Sequence, residues 1–227
     1  KYEEYTPKRS LAVFDTFVDS DNAQLIGPDG FERICSEAQI PMDGAMPLIL
    51  SWQLGAEEMA KLSRDGWVKG TGNLKVSSLP QLNLVVRELN DLLVLGLPPL
   101  ERSRSTDKKG PYDRSTYWSY AEDTKKAFKD LYMYCFSLAK PQQSRNIDME
   151  TASALWSVLL VPQYPLMTEV LAFIMEKGTY KAVNKDLWKM SLEFCQTVDI
   201  NLQGYDPDAA WPTILDDFVL WKKNKTT

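Results

Sequence analysis

From Tyr117 to Leu138 the chain sets an apolar or half-apolar residue at every third or fourth position: Tyr117, Tyr120, Thr124, Phe128, Leu131, Cys135 and Leu138. Residues three and four apart share one face of a helix, so this spacing turns a single stripe toward a core. It predicts one long central helix. The same period recurs on both sides of it. Leu11, Phe14, Phe17 and Val18 follow Thr6-Pro7, a start signal with proline in the first turn. Phe31, Ile34, Cys35 and Ala38 mark a second helix, and Leu48, Leu50 and Trp52 a third over Ala45–Leu54. Trp67 and Val68 follow the cap Ser63-Arg64-Asp65, and Leu82, Val85, Val86, Leu89, Leu92 and Leu93 run from Leu79 to Leu95. Beyond the central helix come Ala154, Leu155, Val158 and Leu159, then Leu166 to Glu176 closed near Gly178, then Leu187, Trp188, Leu192, Phe194 and Cys195 behind Asp186. No stretch alternates in the manner of a half-buried strand. The expected fold class is all-α.

The last helical stretch, Ala209 to Trp221, is expected to open with the pair Trp211-Pro212. At about 100° per residue, Trp211, Ile214, Leu215 and Phe218 fall on one core-facing stripe. Asp216, with Asp217 beside it, lies on the far side near Leu220. A solvated acidic face and a docking face both fit that pattern. Charge bears on the choice without closing it. Residues 186 to 221 hold seven acids (Asp186, Glu193, Asp199, Asp206, Asp208, Asp216, Asp217) and one base (Lys189), a net of −6, against −5 for the whole chain. The remainder is therefore +1, so the acidity sits in the last two helices. That predicts a basic partner there and argues against nucleic acid.

Histidine is absent, which excludes Ser-His-Asp and Cys-His catalysis and imidazole metal sites. No phosphate-binding glycine loop is present. Cys35, Cys135 and Cys195 are odd in number, far apart and set among apolar residues, so buried thiols are expected in place of disulfides, zinc ligands or nucleophiles. They suit the cytosol or nucleus. Prolines interrupt the apolar runs, so no membrane span is expected. No cofactor is implied, and the chain begins at Lys1, so a natural N-terminal segment is expected to precede it. Arg102, Arg104, Lys108, Lys109 and Arg114 make residues 101–114 basic; a solvated loop is expected, because the aromatics Tyr117 and Trp118 belong to the next helix.

The first two helices flank an acidic loop that resembles a calcium-binding helix–loop–helix. With Asp19 at loop position 1, Asp21 falls at position 3 and Ile26 at position 8, but Gln24 replaces the required glycine and Gly30 the bidentate glutamate. A second such loop, with Ile147 at position 8, has Lys140 and Thr151 at its ends. The two suggest an internal pseudo-repeat that keeps the shape and lacks the ligands, so no metal is expected. A calcium-responsive binding module and a carboxylate hydrolase using Asp216 and Asp217 remain as other readings.

Tyr205-Asp206, Ala210-Trp211-Pro212 and Leu215-Asp216-Asp217-Phe218-Val219, preceded by Lys185-Asp186-Leu187-Trp188, resemble the signature of the potentiating-neddylation domain of the defective-in-cullin-neddylation family. Ile26-Gly27-Pro28-Asp29-Gly30, Leu131-Tyr132, Phe136-Ser137-Leu138-Ala139-Lys140 and Leu155-Trp156-Ser157-Val158-Leu159 match as well. The resemblance implies one all-α domain, with an N-terminal lobe over about 1–139 and a C-terminal lobe over 140–227, built on two degenerate EF-hand-like units. It implies a non-catalytic co-ligase. Such a scaffold holds the C-terminal winged-helix domain of a cullin, with its RING subunit, beside a conjugating enzyme (E2), so that a ubiquitin-like modifier passes to a cullin lysine. The cullin-binding residues implied are Asp186, Ala210 and Asp216. A pocket for the acetylated N-terminal methionine of the E2 is implied at Phe31, Leu48, Leu50, Met59, Leu62, Leu138, Leu155 and Val158. Acetylation removes the terminal charge that would otherwise oppose burial. Met42 and Pro47 depart from the family pattern, and residues 101–114 are longer than it.

Overall fold

The computed structural model describes residues 4–102 and 110–226. The positions Arg104, Lys108 and Lys109 of the basic stretch lie outside them. The chain forms two compact units, residues 1–134 and 135–227. As expected, the fold is made of helices.

In the first unit α1 (Pro7–Phe17) starts where Thr6 accepts a hydrogen bond from the Arg9 backbone N–H at 3.2 Å, which satisfies one of the unpaired donors of a first turn. It packs on α4 (Arg64–Leu74). The Trp67 indole donates to the Ser10 carbonyl at 3.0 Å, and Ser10 and Thr71 hydroxyls meet at 2.7 Å, so the polar atoms buried between these helices are paired. Between them run α2 (Pro28–Glu37) and α3 (Met46–Gln53). Five consecutive α3 residues, Pro47 to Ser51, are buried, so this helix is enclosed on all sides. The unit continues with α5 (Leu79–Leu89), a π-turn over Asn90–Val94, and α6 (Ser115–Glu122).

The boundary of the two units falls within α7 (Thr124–Ala139). The second unit continues through α8 (Met149–Leu159), α9 (Leu166–Lys177), α10 (Lys185–Thr197) and α11 (Thr213–Thr226). Its core is aromatic. Trp156 and Trp188 stack at 5.6 Å, Phe136 joins Trp188 at 5.9 Å, and Phe173 meets Phe218 edge-on at 5.9 Å.

Four features differ from expectation. The central helix is broken: Asp123 leaves the helical region at φ −144° and caps α7 by accepting from the Lys126 N–H at 3.0 Å. The apolar period survives the break, which is why periodicity alone joins the two helices. Second, four strands of two or three residues exist among the described residues. β1 (Leu25–Ile26) pairs with β2 (Leu62–Ser63), and β3 (Asn146–Asp148) with β4 (Ala182–Asn184), both antiparallel. Ile26 faces Leu62 and Ile147 faces Val183, all four essentially unexposed. Such ladders are too short to show an alternating pattern. Third, α10 is capped by Asn184, which accepts from the Leu187 N–H at 2.8 Å, so Asp186 lies inside the first turn. Fourth, α11 begins at Thr213, after the Trp-Pro pair. The Pro212 carbonyl accepts from the Leu215 N–H at 2.8 Å, Val219 joins the buried stripe, and Trp211 is half-buried.

Candidate functional site

Phe194 on α10 is fully buried and organises the acidic region. Trp211 meets its ring edge-on at 5.3 Å, Phe218 of α11 at 6.2 Å and Tyr205 at 6.5 Å. One core ring thus gathers α10, the connecting segment and α11. Asp186 is exposed in the first turn of α10, about 12 Å before Phe194 along the axis at about 1.5 Å per residue. Ala210, next to Trp211, is exposed, and Asp216 is half-buried in the first turn of α11. Both aspartates stand near a helix N-terminus, where the backbone dipoles favour negative charge.

The connection between α10 and α11 is tightly specified. Asp199 Oδ1 accepts from the Asn201 and Gln203 N–H groups at 2.8 and 2.9 Å, and Asp206 Oδ1 from the Asp208 N–H at 2.9 Å. Gly204 sits at φ +87°, and a Cβ there would stand 2.2 Å from the Thr197 carbonyl oxygen, so only glycine fits. The turn delivers Tyr205, whose hydroxyl donates to Asp216 Oδ1 at 2.7 Å. Asp217 is treated likewise by Tyr180, at 2.7 Å to Oδ2. Burial, followed by the facing carboxylate, pushes both phenols up to about 12. Neither tyrosine carries a role in the sequence reading, although Tyr205 stands inside its quoted motif; the spacing of eleven residues from Tyr205 to Asp216 has no local period that would pair them.

The apolar candidates are distributed over both units. In the first, Phe31 on α2, Leu48 and Leu50 on α3 and Leu62 in β2 are buried, while Met59 is 42% exposed. Leu50 and Leu62 show 0% exposure, so they are core positions in this structure. In the second unit Leu138 on α7 and Leu155 on α8 are buried and Val158 on α8 is half-buried.

The two loops that resemble calcium sites are closed by protein groups. Asp19 Oδ1 accepts from the Gly27 N–H at 2.8 Å. A Cβ at Gly30 would lie 2.3 Å from the Phe17 carbonyl oxygen, so the first turn of α2 has no room for a ligating glutamate. In the second loop the Lys140 ammonium donates to the Pro141 and Ser144 carbonyls at 3.1 and 2.9 Å, which puts a positive charge where a cation would bind. Among the described residues no cluster of acids or cysteines could hold a metal ion. The three thiols are buried, and burial raises each of them: Cys35 to about 11, Cys195 to about 12, and Cys135 higher still. Thiols held protonated in this way are poor nucleophiles.

Of the basic stretch, Arg114 is half-buried and paired within the chain. It forms a two-pronged pair with Glu88, Nε to Oε2 at 2.8 Å and Nη2 to Oε1 at 2.6 Å, while Tyr112 donates to Oε2 at 2.6 Å. The chain folds back because Glu88, buried on α5, needs a counter-charge. Arg102 lies 5.0 Å over the Trp118 ring. Among the described residues no helix is long and apolar enough to cross a membrane.

Residues 113–221 match a family model described as cullin binding, and this span contains Asp186, Ala210 and Asp216. DCN1-like protein 4 of Drosophila melanogaster is 30% identical over 217 residues, covering 96% of this chain and 75% of that protein. DCN1-like protein 5 of Homo sapiens is 28% identical over 229 residues, covering 99% and 81%. The chain therefore belongs to the DCN1-like family, the defective-in-cullin-neddylation proteins that carry the cullin-binding domain.

Proposed function

We propose that this chain is a scaffold-type co-ligase for cullin neddylation. Asp186, Ala210 and Asp216 dock the C-terminal winged-helix domain of a cullin, with its RING subunit, while the E2 is held through its acetylated N-terminal methionine. Modifier transfer is accelerated because both partners sit on one scaffold, which raises their effective concentration and fixes their orientation. No side chain of the chain transfers the modifier. The single observation that carries the reading is the arrangement around Phe194, where α10, the 205–211 segment and α11 are packed together with Asp186, Ala210 and Asp216 on them. Ala210 is exposed and small, which leaves space for a partner's side chain to approach. In the first unit the exposed Met59, with Phe31 and Leu48, offers apolar side chains for the methionine. The site of action is the reducing cytosol or nucleus, which suits three free thiols.

The test is modifier transfer to a cullin, stimulated by wild type and by Asp216→Arg. Loss of stimulation by the folded variant is expected, and equal stimulation would remove the acidic surface from the account. An acetylated E2 N-terminal peptide is expected to bind at least about tenfold more tightly than the unacetylated one, because a buried charged amine is unfavourable. Equal affinity would overturn the pocket assignment. Replacing Cys35, Cys135 and Cys195 with alanine is expected to leave stimulation intact; a modifier thioester trapped on the wild type would instead identify a catalytic ligase.

A further inference from the structure

We infer that Tyr205 is the positioning residue of the acidic docking surface: its hydroxyl holds the Asp216 carboxylate in the orientation that a basic group of the cullin domain meets. This rests on the docking reading above. An aspartate on a helix surface samples several rotamers, and fixing one on association opposes binding. The Tyr205 hydroxyl, 2.7 Å from Oδ1, removes that freedom in the unbound protein and leaves Oδ2 for the partner. Ordering that would otherwise occur on docking has already occurred on folding.

The phenol is itself held from several directions. Its ring meets Phe194 edge-on at 6.5 Å, and the Lys223 ammonium lies 5.6 Å over its face. Its backbone N–H donates to the Leu202 carbonyl at 3.4 Å. Upstream, Leu202 at φ +63° and Gly204 at φ +87° turn the chain back toward α10, and the two N–H bonds to Asp199 Oδ1 close that turn. A left-handed leucine is an unfavourable conformation that persists only where its surroundings impose it. These constraints converge on one outcome, the placement of a hydroxyl against Asp216.

The neighbouring aspartate provides the internal control. Tyr180 gives Asp217 the same bond at the same length, but Asp217 is rotated by about 100° round α11 and lines a cleft with Leu220 and Trp221, apart from the named docking residues. Equal chemistry therefore serves two ends: Tyr180 ties α11 to the segment after α9, and Tyr205 orients a docking group.

The experiment is a double-mutant cycle read by titration with the cullin winged-helix domain. Tyr205→Phe keeps the ring and removes only the hydroxyl, and the expected effect is a Kd raised by about five- to twentyfold. In an Asp216→Ala background the same change is expected to alter Kd by less than about twofold, because there is nothing left to orient. Tyr180→Phe is expected to leave Kd within about twofold of wild type while lowering the denaturant midpoint by a similar amount to Tyr205→Phe. In modifier transfer, Tyr205→Phe raises the half-maximal cullin concentration without changing the rate at saturation. The inference is overturned if Tyr205→Phe binds as wild type while Asp216→Ala binds weakly, if both phenylalanine variants weaken binding alike, or if the Tyr205→Phe effect persists without Asp216. If Asp216→Ala itself binds as wild type, the docking reading fails first and the inference falls with it.

Discussion

Glu88 and Asp216 each accept a hydrogen bond from a tyrosine, Tyr112 and Tyr205, yet the chain completes the two sites differently. Glu88 is buried in the first unit, and the chain supplies Arg114 as its cation. Asp216, in the second unit, is half-exposed, and among the described residues it forms no ion pair. The difference follows from solvation. A buried carboxylate without a counter-charge would oppose folding by several kcal/mol, so its partner must be in the same chain. A half-exposed carboxylate is stabilised by water until another molecule displaces that water. The first arrangement holds a fold together; the second, under the docking proposal, leaves a charge for a partner to satisfy.

The comparison is most easily broken at Glu88. Arg114→Ala leaves that carboxylate buried without its counter-charge and with only the Tyr112 hydroxyl, and urea unfolding is expected to show a loss of about 3–5 kcal/mol. A loss below about 1 kcal/mol would mean that Glu88 reaches water, and the contrast with Asp216 would disappear. Gly204→Ala forces a Cβ against the Thr197 carbonyl at φ +87° and is expected to destabilise by about 1–3 kcal/mol. It should also weaken cullin docking, since the same turn carries Tyr205. Asp216→Asn keeps the shape, removes the charge, and is expected to change stability by less than about 1 kcal/mol. A larger loss would make Asp216 a structural residue like Glu88.

The smallest effect is on pH dependence. Tyr205 and Tyr180 are raised from 10 to about 12 in the folded chain. A raised folded-state value means that the protonated phenol is favoured by folding. Its contribution is therefore complete below pH 10 and lost as pH climbs to about 12, where a phenolate would face a carboxylate. Tyr112 is raised further, by burial and then by Glu88, so its bond outlasts the other two. Denaturant midpoints between pH 9 and pH 12 are expected to fall, and to fall less in a Tyr180→Phe, Tyr205→Phe double variant. Identical slopes would remove these two bonds from the balance.

How much of this the sequence discloses depends on the range of each interaction. Thr6-Pro7, Ser63 and Gly178 mark helix ends through bonds to residues three or four away, so their meaning is local and legible. The buried stripe of α5 is equally local, whereas in α8 the expected Ala154 is exposed and Trp156 is buried in its place. The break at Asp123 is not, since a cap and a helix interior have the same apolar period on either side. Nor is the pairing of Glu88 with Arg114, because charges twenty-six residues apart carry no mark of their partner. The residues proposed for docking, Asp186, Ala210 and Asp216, are marked in the sequence by family motif and charge concentration. Tyr205 stayed unassigned because a tyrosine's hydroxyl takes its meaning from what the fold sets opposite it.

The central claim is that Asp186 and Asp216 form a charge surface left open for a cullin. Calorimetric titration of the cullin winged-helix domain into wild type and into a folded Asp186→Ala, Asp216→Ala variant, at low and high salt, tests it most directly. Wild type is expected to bind more weakly as salt rises, and the variant to bind at least about a hundredfold more weakly, with little remaining salt dependence. Equal affinity of the two proteins at low salt would contradict the account.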